Sequence, residues 1–213
     1  MPVVETAGAL LEAGFVPLPL LHGKKHIDVE ATGRKAHHFH TRSKQMKNLV
    51  FASLTTSLAD FPPSKEEVER WFQSGKCNIG LIGGFGNLAV LDFDDMRSYE
   101  RFSAQNQALA SVSPTTQTPD GMHVYVRSKH PMISSSLYCG MKRIGHVKAL
   151  GGYVVCPPSV LNAGGRYAWM PGRSVFDCQP QVVPDLAALG LSTVSLVKRL
   201  YDDALGRGGF VDR

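Results

Sequence analysis

The chain has 213 residues, 43% of them hydrophobic, and a formal net charge of +5. This size and composition predict a soluble globular protein with one large domain, or one domain with a small appendage. No apolar run approaches the roughly 20 residues of a membrane helix, and the first residues lack the pattern of a secretory signal. The four cysteines lie far apart without a CxxC pair, which disfavours zinc ribbons and disulfide scaffolds and favours thiols in a reducing cytoplasm. The positive charge permits a polyanionic partner without requiring one.

The first third of the chain predicts two helices separated by a polar segment. Residues 1–15 have an amphipathic helical pattern. The FVPLPLL stretch that follows this helix is a short extended run broken by two prolines. The basic segment 22–48 has little apolar periodicity, which predicts a long loop or an insertion. In FPPSKEEVERWF, Ser64 and Glu67 have the spacing of a capping box, so a helix should begin there and bury its Trp-Phe pair.

The rest of the chain predicts a sheet with flanking helices. Five short strands, each bounded by Gly or Pro, are predicted: NIGLIGG, NLAVLDFDD, HVYVRS, GGYVVCPPS and RYAWM. SYERFSAQNQALA predicts a helix among them, and DLAALG and STVSLVKRLYDDALG predict terminal helices. This irregular succession favours the α+β class. We expect a main domain over residues 1–183 and a helical extension or linker over residues 184–213.

LDFDD is the sharpest local feature of the sequence. Side chains alternate along a strand, so Asp92 and Asp94 should point to one face. Carboxylates roughly 7 Å apart along a strand can converge on one hard cation or on a metal pair. The structural alternative is a strand end with solvated acids, and Asp95 is a candidate N-cap for the following helix.

Two other segments place basic side chains on strands. In TPDGMHVYVR, a turn delivers His123 to a strand on which Tyr125 and Arg127 share its face, and a His and an Arg together suit a phosphate. In HVKALGGYVVCPPSV, His146 and Lys148 share a face, and the following glycines allow close backbone approach. The bland alternatives are a surface histidine in the first case and a plain hairpin in the second.

Two further patterns invite functional interpretations that the spacing does not favour. The glycines of GLIGGFGNLAV precede a strand, so they match neither a dinucleotide fingerprint nor a P-loop, and a turn is expected. His37, His38 and His40 have no Cys or acid at ligand spacing. A solvated basic loop that can contact a phosphate backbone is therefore favoured over a metal site.

The order of the motifs is more informative than any one of them. GFVPLPL, a lysine-containing stretch at Lys24 or Lys25, the tryptophan helix, NIGLIGG, LDFDD, TPDGMH and GGYVVCPPSV precede GRYAW. This order, from about Ala7 to Trp169, resembles the bifunctional primase–polymerase domain of the archaeo-eukaryotic primase superfamily. The resemblance implies a catalytic core on an RRM-like mixed sheet flanked by helices. It also implies primer synthesis and extension on single-stranded DNA.

The resemblance assigns roles to individual residues. Asp92 and Asp94 fall on the metal-binding acids of the first motif, and Gly121 and His123 fall on a second motif whose histidine contacts the phosphates of the incoming nucleotide. Arg127 and Lys148 are expected helpers in nucleotide binding. At the third motif the family has another acid, where this chain has His146. A neutral imidazole can bind Mn²⁺ or Zn²⁺ but is a poor ligand for Mg²⁺.

These assignments imply a metal-dependent nucleotidyltransferase of a plasmid, phage or mobile-element replication protein. Its expected cofactor is Mg²⁺ or Mn²⁺, and its expected partners are a single-stranded DNA template, ribo- or deoxyribonucleoside triphosphates and a helicase domain or protein. Arg143 and the basic residues of segment 22–48 are expected to contact template phosphates. Because His146 replaces an acid, a two-acid site that works with Mn²⁺ and a site of reduced activity both stay open. One rival is a non-catalytic single-strand-binding module with the same fold. The other is a different metal-dependent nucleotidyl enzyme, such as a nuclease or a relaxase, and for a relaxase Tyr125 is the candidate nucleophile.

Overall fold

The computed structural model describes residues 2–33 and 53–194. The helices are α1 (Val3–Glu12), α2 (Val29–Thr32), α3 (53–60), α4 (Lys65–Phe72), α5 (Met96–Gln105) and α6 (Gln107–Val112), and Phe85–Asn87 and Ala187–Leu189 are 3-10 turns. The strands are β1 (Pro17–Leu21), β2 (Cys77–Ile82), β3 (Leu88–Phe93), β4 (Thr115–Gln117), β5 (Met122–Ser128), β6 (Ser135–Cys139), β7 (Lys142–Lys148), β8 (Tyr153–Cys156), β9 (Ala168–Trp169) and β10 (Gln181–Val183). This mixture of helices and largely antiparallel strands confirms the α+β class.

The smaller sheet has the order β1-β2-β8 and is antiparallel throughout. The two prolines are compatible with strand β1 because it is an edge strand. Proline lacks a backbone N–H donor, and the outer side of an edge strand has no partner strand that needs this donor. Helices α1, α3 and α4 bury Leu10, Leu58 and Phe72 against this sheet. The capping box predicted for α4 is present, with Ser64 and Glu67 each accepting the other's backbone N–H.

The larger sheet has the order β6-β7-β3-β5-β4-β9, and β10 pairs with β5 in parallel. One face of its central strands packs on the smaller sheet's core through Val90 and Tyr125. The other face packs on α5 and α6, where Phe93 contacts Phe102 with ring centroids 5.0 Å apart. Strand β3 is therefore central and covered on both sides, which positions its carboxyl end between two layers.

The structure changes several of the predicted elements. NIGLIGG and NLAVLDF form strands, but they belong to different sheets, and the glycine turn between them carries the chain from one sheet to the other. The helix predicted over 98–110 begins at Met96 and is broken at Asn106, whose side-chain amide donates to the carbonyls of Phe102 and Leu189. DLAALG forms a 3-10 turn instead of an α-helix.

Some predictions lie outside the described residues. These are the histidines His37, His38 and His40, most of the basic 22–48 segment and the final predicted helix beyond residue 194. Within residues 2–33 and 53–194, no helix combines the length and apolarity that crossing a bilayer requires.

Candidate active site

A row of polar side chains crosses the middle of the larger sheet. The strand register sets Asp92 of β3 opposite His123 of β5 on one side and opposite His146 of β7 on the other. Residues that face each other across paired strands project from the same face of the sheet. The sheet thus brings together three residues that are far apart in the sequence, with the carboxylate of Asp92 between the two histidines.

Asp92 is held by His123. The Nε2 atom of His123 lies 3.2 Å from Oδ1 of Asp92, and the two side chains are 6% and 23% exposed, respectively. Burial alone raises the pKa of Asp92, but the hydrogen bond and charge of His123, helped by Lys148 and His146, outweigh it, so the pKa lies below its ordinary value. Asp92 is consequently an ionised carboxylate at neutral pH.

His123 has a second notable atom. Its Nδ1 is buried and has no hydrogen-bond partner among the described residues. The ring lies against Tyr167, with centroids 5.9 Å apart. The phosphate contact predicted for His123 stays a prediction, and in this arrangement the imidazole orients Asp92.

Asp94 lies just beyond the end of β3, beside Arg143. Its Oδ2 is 3.3 Å from Nη2 of Arg143, and its Oδ1 is 3.9 Å from Nδ1 of His146. The same Arg143 nitrogen lies 3.0 Å from Nε2 of His146. Burial, Lys148 and Arg143 lower the pKa of His146 and outweigh the two acids, so its imidazole is neutral at pH 7.

A β-bulge explains why Arg143 reaches this face. Between β6 and β7, Leu137 pairs with Gly145 and Tyr138 pairs with Arg143, so Ile144 is an extra residue in β7. In a regular strand Arg143 would project opposite to His146, because side chains alternate. The bulge re-aims the guanidinium towards Asp94, as bulges beside functional sites often do.

Asp95 has the structural role that the sequence predicted. Its Oδ1 accepts the backbone N–H of Ser98 at 2.7 Å, which caps helix α5. The cap holds Asp95 at the helix start while Asp92 and Asp94 stay on the side of the histidines. The acidic triplet is therefore divided between a helix cap and the candidate site.

An open pocket of about 460 Å³ lies over Asp92, between the two sheets. Its floor contains Asp92 and His123, and Lys148 lines one side. Segments from distant parts of the sequence also line the pocket and contribute Lys25, Tyr153 and Tyr167. The pocket thus presents one carboxylate and two ammonium groups around a space large enough for part of a nucleotide.

Lys25 is held in place by neighbouring tyrosines. The hydroxyl of Tyr153 donates to the backbone carbonyl of Lys25 at 2.8 Å. Burial raises the pKa of Tyr167, although hydrogen bonding and charge from Lys25 oppose the rise. No local sequence pattern predicted that either tyrosine belongs to the site, and Lys25 was indicated only by the family-like order of motifs.

Two of the predicted residues lie apart from the pocket. The guanidinium of Arg127 donates to the carbonyls of Phe85 and Gly86 at 3.3 and 2.5 Å, and it lies over the Phe15 ring. Tyr125 is fully buried, and its hydroxyl pairs with that of Thr116 at 3.2 Å. A buried tyrosine with a pKa raised well above its ordinary value by burial is not placed to act as a nucleophile on DNA, which removes support for the relaxase alternative.

The donor chemistry fits one hard divalent ion. Within residues 2–33 and 53–194, no group of three or more His, Cys, Asp or Glu side chains is already arranged to hold a metal. Asp92 nevertheless offers an ionised carboxylate to the pocket, and the half-exposed Asp94 lies beside it on the same face. Oxygen donors of this kind suit Mg²⁺ and Mn²⁺.

A central antiparallel strand with acids at its end, beneath a pocket lined by lysines, defines a protein equipped to handle anionic, phosphate-bearing ligands. The family model described as bifunctional DNA primase/polymerase, N-terminal, matches residues 7–186. The chain therefore belongs to this primase/polymerase family, which confirms the resemblance found in the sequence. Membership gives the domain a primase/polymerase-type role in DNA replication, with DNA and nucleotides as substrates. No curated protein sequence matches the chain.

Proposed function

We propose that this domain is the catalytic part of a plasmid, phage or mobile-element replication protein. It makes or extends primers on a single-stranded DNA template by metal-dependent nucleotidyl transfer. The single observation that carries the proposal is the ionised Asp92 on the floor of a pocket flanked by Lys25 and Lys148. A carboxylate for a cation and two ammonium groups for phosphates are what a nucleoside triphosphate requires.

Each residue then has a defined task. Asp92 and Asp94 hold a divalent ion, Mg²⁺ or Mn²⁺, which when bound offsets negative charge on the phosphates during transfer. Lys25 and Lys148 both line the pocket, and their positive charges would offset the repulsion between the negatively charged phosphates of a triphosphate. His123 keeps Asp92 in one orientation through the 3.2 Å contact.

Primer synthesis and extension test this proposal directly. Primed and unprimed single-stranded templates are incubated with ribo- or deoxynucleotides and with Mg²⁺ or Mn²⁺. We expect Asp92→Asn and Asp94→Asn to reduce product at least about 100-fold, because removing a group that stabilises developing charge has effects of that order. Asp95→Asn is the matched control: asparagine caps helices as well as aspartate does, so its activity should stay close to that of the unaltered chain.

The outcomes separate the possibilities. Undiminished synthesis in the Asp92→Asn/Asp94→Asn double variant would show that the acids are not the metal site. Loss of synthesis in Asp95→Asn as well, without loss of folding, would show that the acids do not differ in role.

Two observations favour a second candidate function, a non-catalytic single-strand-binding module with the family fold. Arg143 forms an ion pair with Asp94, and a neutral imidazole replaces the third acid. Such a module would bind single-stranded DNA but produce nothing with either metal. Filter binding alongside the synthesis assay distinguishes the two.

A further inference from the structure

We propose that Arg143 takes the place of a second divalent ion at Asp94, so that the site binds a single divalent ion. The inference rests on the proposed function only for the presence of that one ion. It assigns Arg143 a positioning role in the site, where the sequence had offered it only as a contact to template phosphates.

The first argument is the ion pair itself. Nη2 of Arg143 lies 3.3 Å from Oδ2 of Asp94, and both side chains are about half exposed, at 45% and 46%. A guanidinium keeps its proton at any physiological pH and can only donate hydrogen bonds. A metal ion that bound to Asp94 independently would have to displace this permanent cation or lie against it, and the two positive charges would repel each other.

The second argument is the state of His146. Both of its ring nitrogens lie close to the guanidinium nitrogen of Arg143 that contacts Asp94, Nε2 at 3.0 Å and Nδ1 at 3.3 Å. A metal ion that approached this imidazole would therefore meet the positive charge of Arg143. Histidine, unlike the acid expected at this position, supplies no negative charge, so the site lacks the third negative charge that would balance another divalent ion.

The third argument is that the backbone builds this arrangement. Arg143 reaches Asp94 because Ile144 is an extra residue in β7, opposite the register shift between Leu137 and Tyr138. Gly145 follows the bulge and lets β7 approach the carbonyl of Asp92 closely. The bulge in β7 thus holds the positive charge of Arg143 at a fixed place beside Asp94 and the imidazole of His146.

The test is to count bound metal ions. Mn²⁺ is titrated into the full chain, and bound ions are counted by electron paramagnetic resonance and calorimetry, without DNA or nucleotide. We expect one Mn²⁺ per chain for the unaltered protein and none for the Asp92→Asn/Asp94→Asn double variant. Arg143→Ala/His146→Asp removes the guanidinium and restores a carboxylate, and it should bind two.

A second measurement does not depend on how the double variant folds. Arg143→Ala alone replaces a half-exposed side chain, and removing one positive charge next to Asp94 should tighten Mn²⁺ binding about fivefold or more. Arg101→Ala, an exposed arginine on α5, is the matched control and should leave the affinity unchanged.

Each result decides the matter. Two ions in the unaltered chain, one ion in a folded Arg143→Ala/His146→Asp variant, or an Arg143→Ala affinity that is unchanged or weaker would overturn the inference. No bound Mn²⁺ in the unaltered chain would overturn it together with the metal site of the proposed function. Two ions would overturn the inference alone and leave the proposed function standing.

Discussion

Replacing Gly145 by alanine introduces a methyl group between the two strands that carry the candidate site. A Cβ at this position would fall well inside the 3.0 Å limit of real Cβ contacts, against the carbonyl oxygen of Asp92. Strands β3 and β7 would have to separate locally by about 1 Å, since the obstacle is backbone and cannot rotate away. The residue also has a φ of +155°, which side chains rarely adopt.

The expected cost follows from that displacement. Overpacking of this kind destabilises a fold by about 1–3 kcal/mol, which lowers the thermal midpoint of a domain this size by about 2–4 °C per kcal/mol. A misplacement of about 1 Å in a catalytic group costs about 100-fold in rate. We therefore expect primer extension to fall about 100-fold in a protein that still folds.

Differential scanning calorimetry and primer extension measure both effects, with Gly8→Ala as the matched control. Gly8 lies in α1, and a Cβ added there would meet no described atom within 4 Å, so alanine should stabilise the protein by up to about 1 kcal/mol. If Gly145→Ala kept both the thermal midpoint and the rate of the unaltered chain, the close approach of β7 to Asp92 would not matter for the site.

Three smaller predictions test separate parts of the structure. Ser64→Ala removes half of the capping box and should cost about 1 kcal/mol, seen as a lower thermal midpoint; an unchanged midpoint would contradict this. Burial raises the pKa of Cys77 to about 11, so at pH 8 a thiol reagent should modify it far more slowly than the half-buried Cys139, as mass spectrometry would show. Tyr153→Phe loses the hydrogen bond to Lys25, worth about 1 kcal/mol, and should raise the KM for nucleotide about fivefold with kcat unchanged; a fall in kcat alone would contradict it.

The parts of the fold that could be predicted are those encoded within a few residues. The capping box at Ser64 and the N-cap at Asp95 each join groups that are three residues apart in the sequence, and both are present. The alternation in LDFDD placed Asp92 away from the core that holds Phe93, as the structure shows. Such signals are visible in the sequence because the partner atoms are close along the chain.

The rest depends on contacts between distant segments. The bulge at Ile144 is defined by the register with β6, which no local pattern of β7 specifies. The pocket joins Lys25, Tyr153 and Tyr167, whose proximity comes from the packing of two sheets. The placement of Arg143 against Asp94 follows from the bulge. The sequence could therefore indicate the candidate acids but not the environment that sets their charge and access.

The strand order of the smaller sheet determines when that sheet can be completed during synthesis of the protein on the ribosome. It joins β1 (Pro17–Leu21) and β2 (Cys77–Ile82) to β8 (Tyr153–Cys156), and β8 also lines the pocket. Chains emerge from the amino terminus onwards, so one edge of β2 stays unpaired until β8 has been made. During that interval the nascent chain already contains Asp92 and Asp94, but it has no pocket in which to hold a nucleotide.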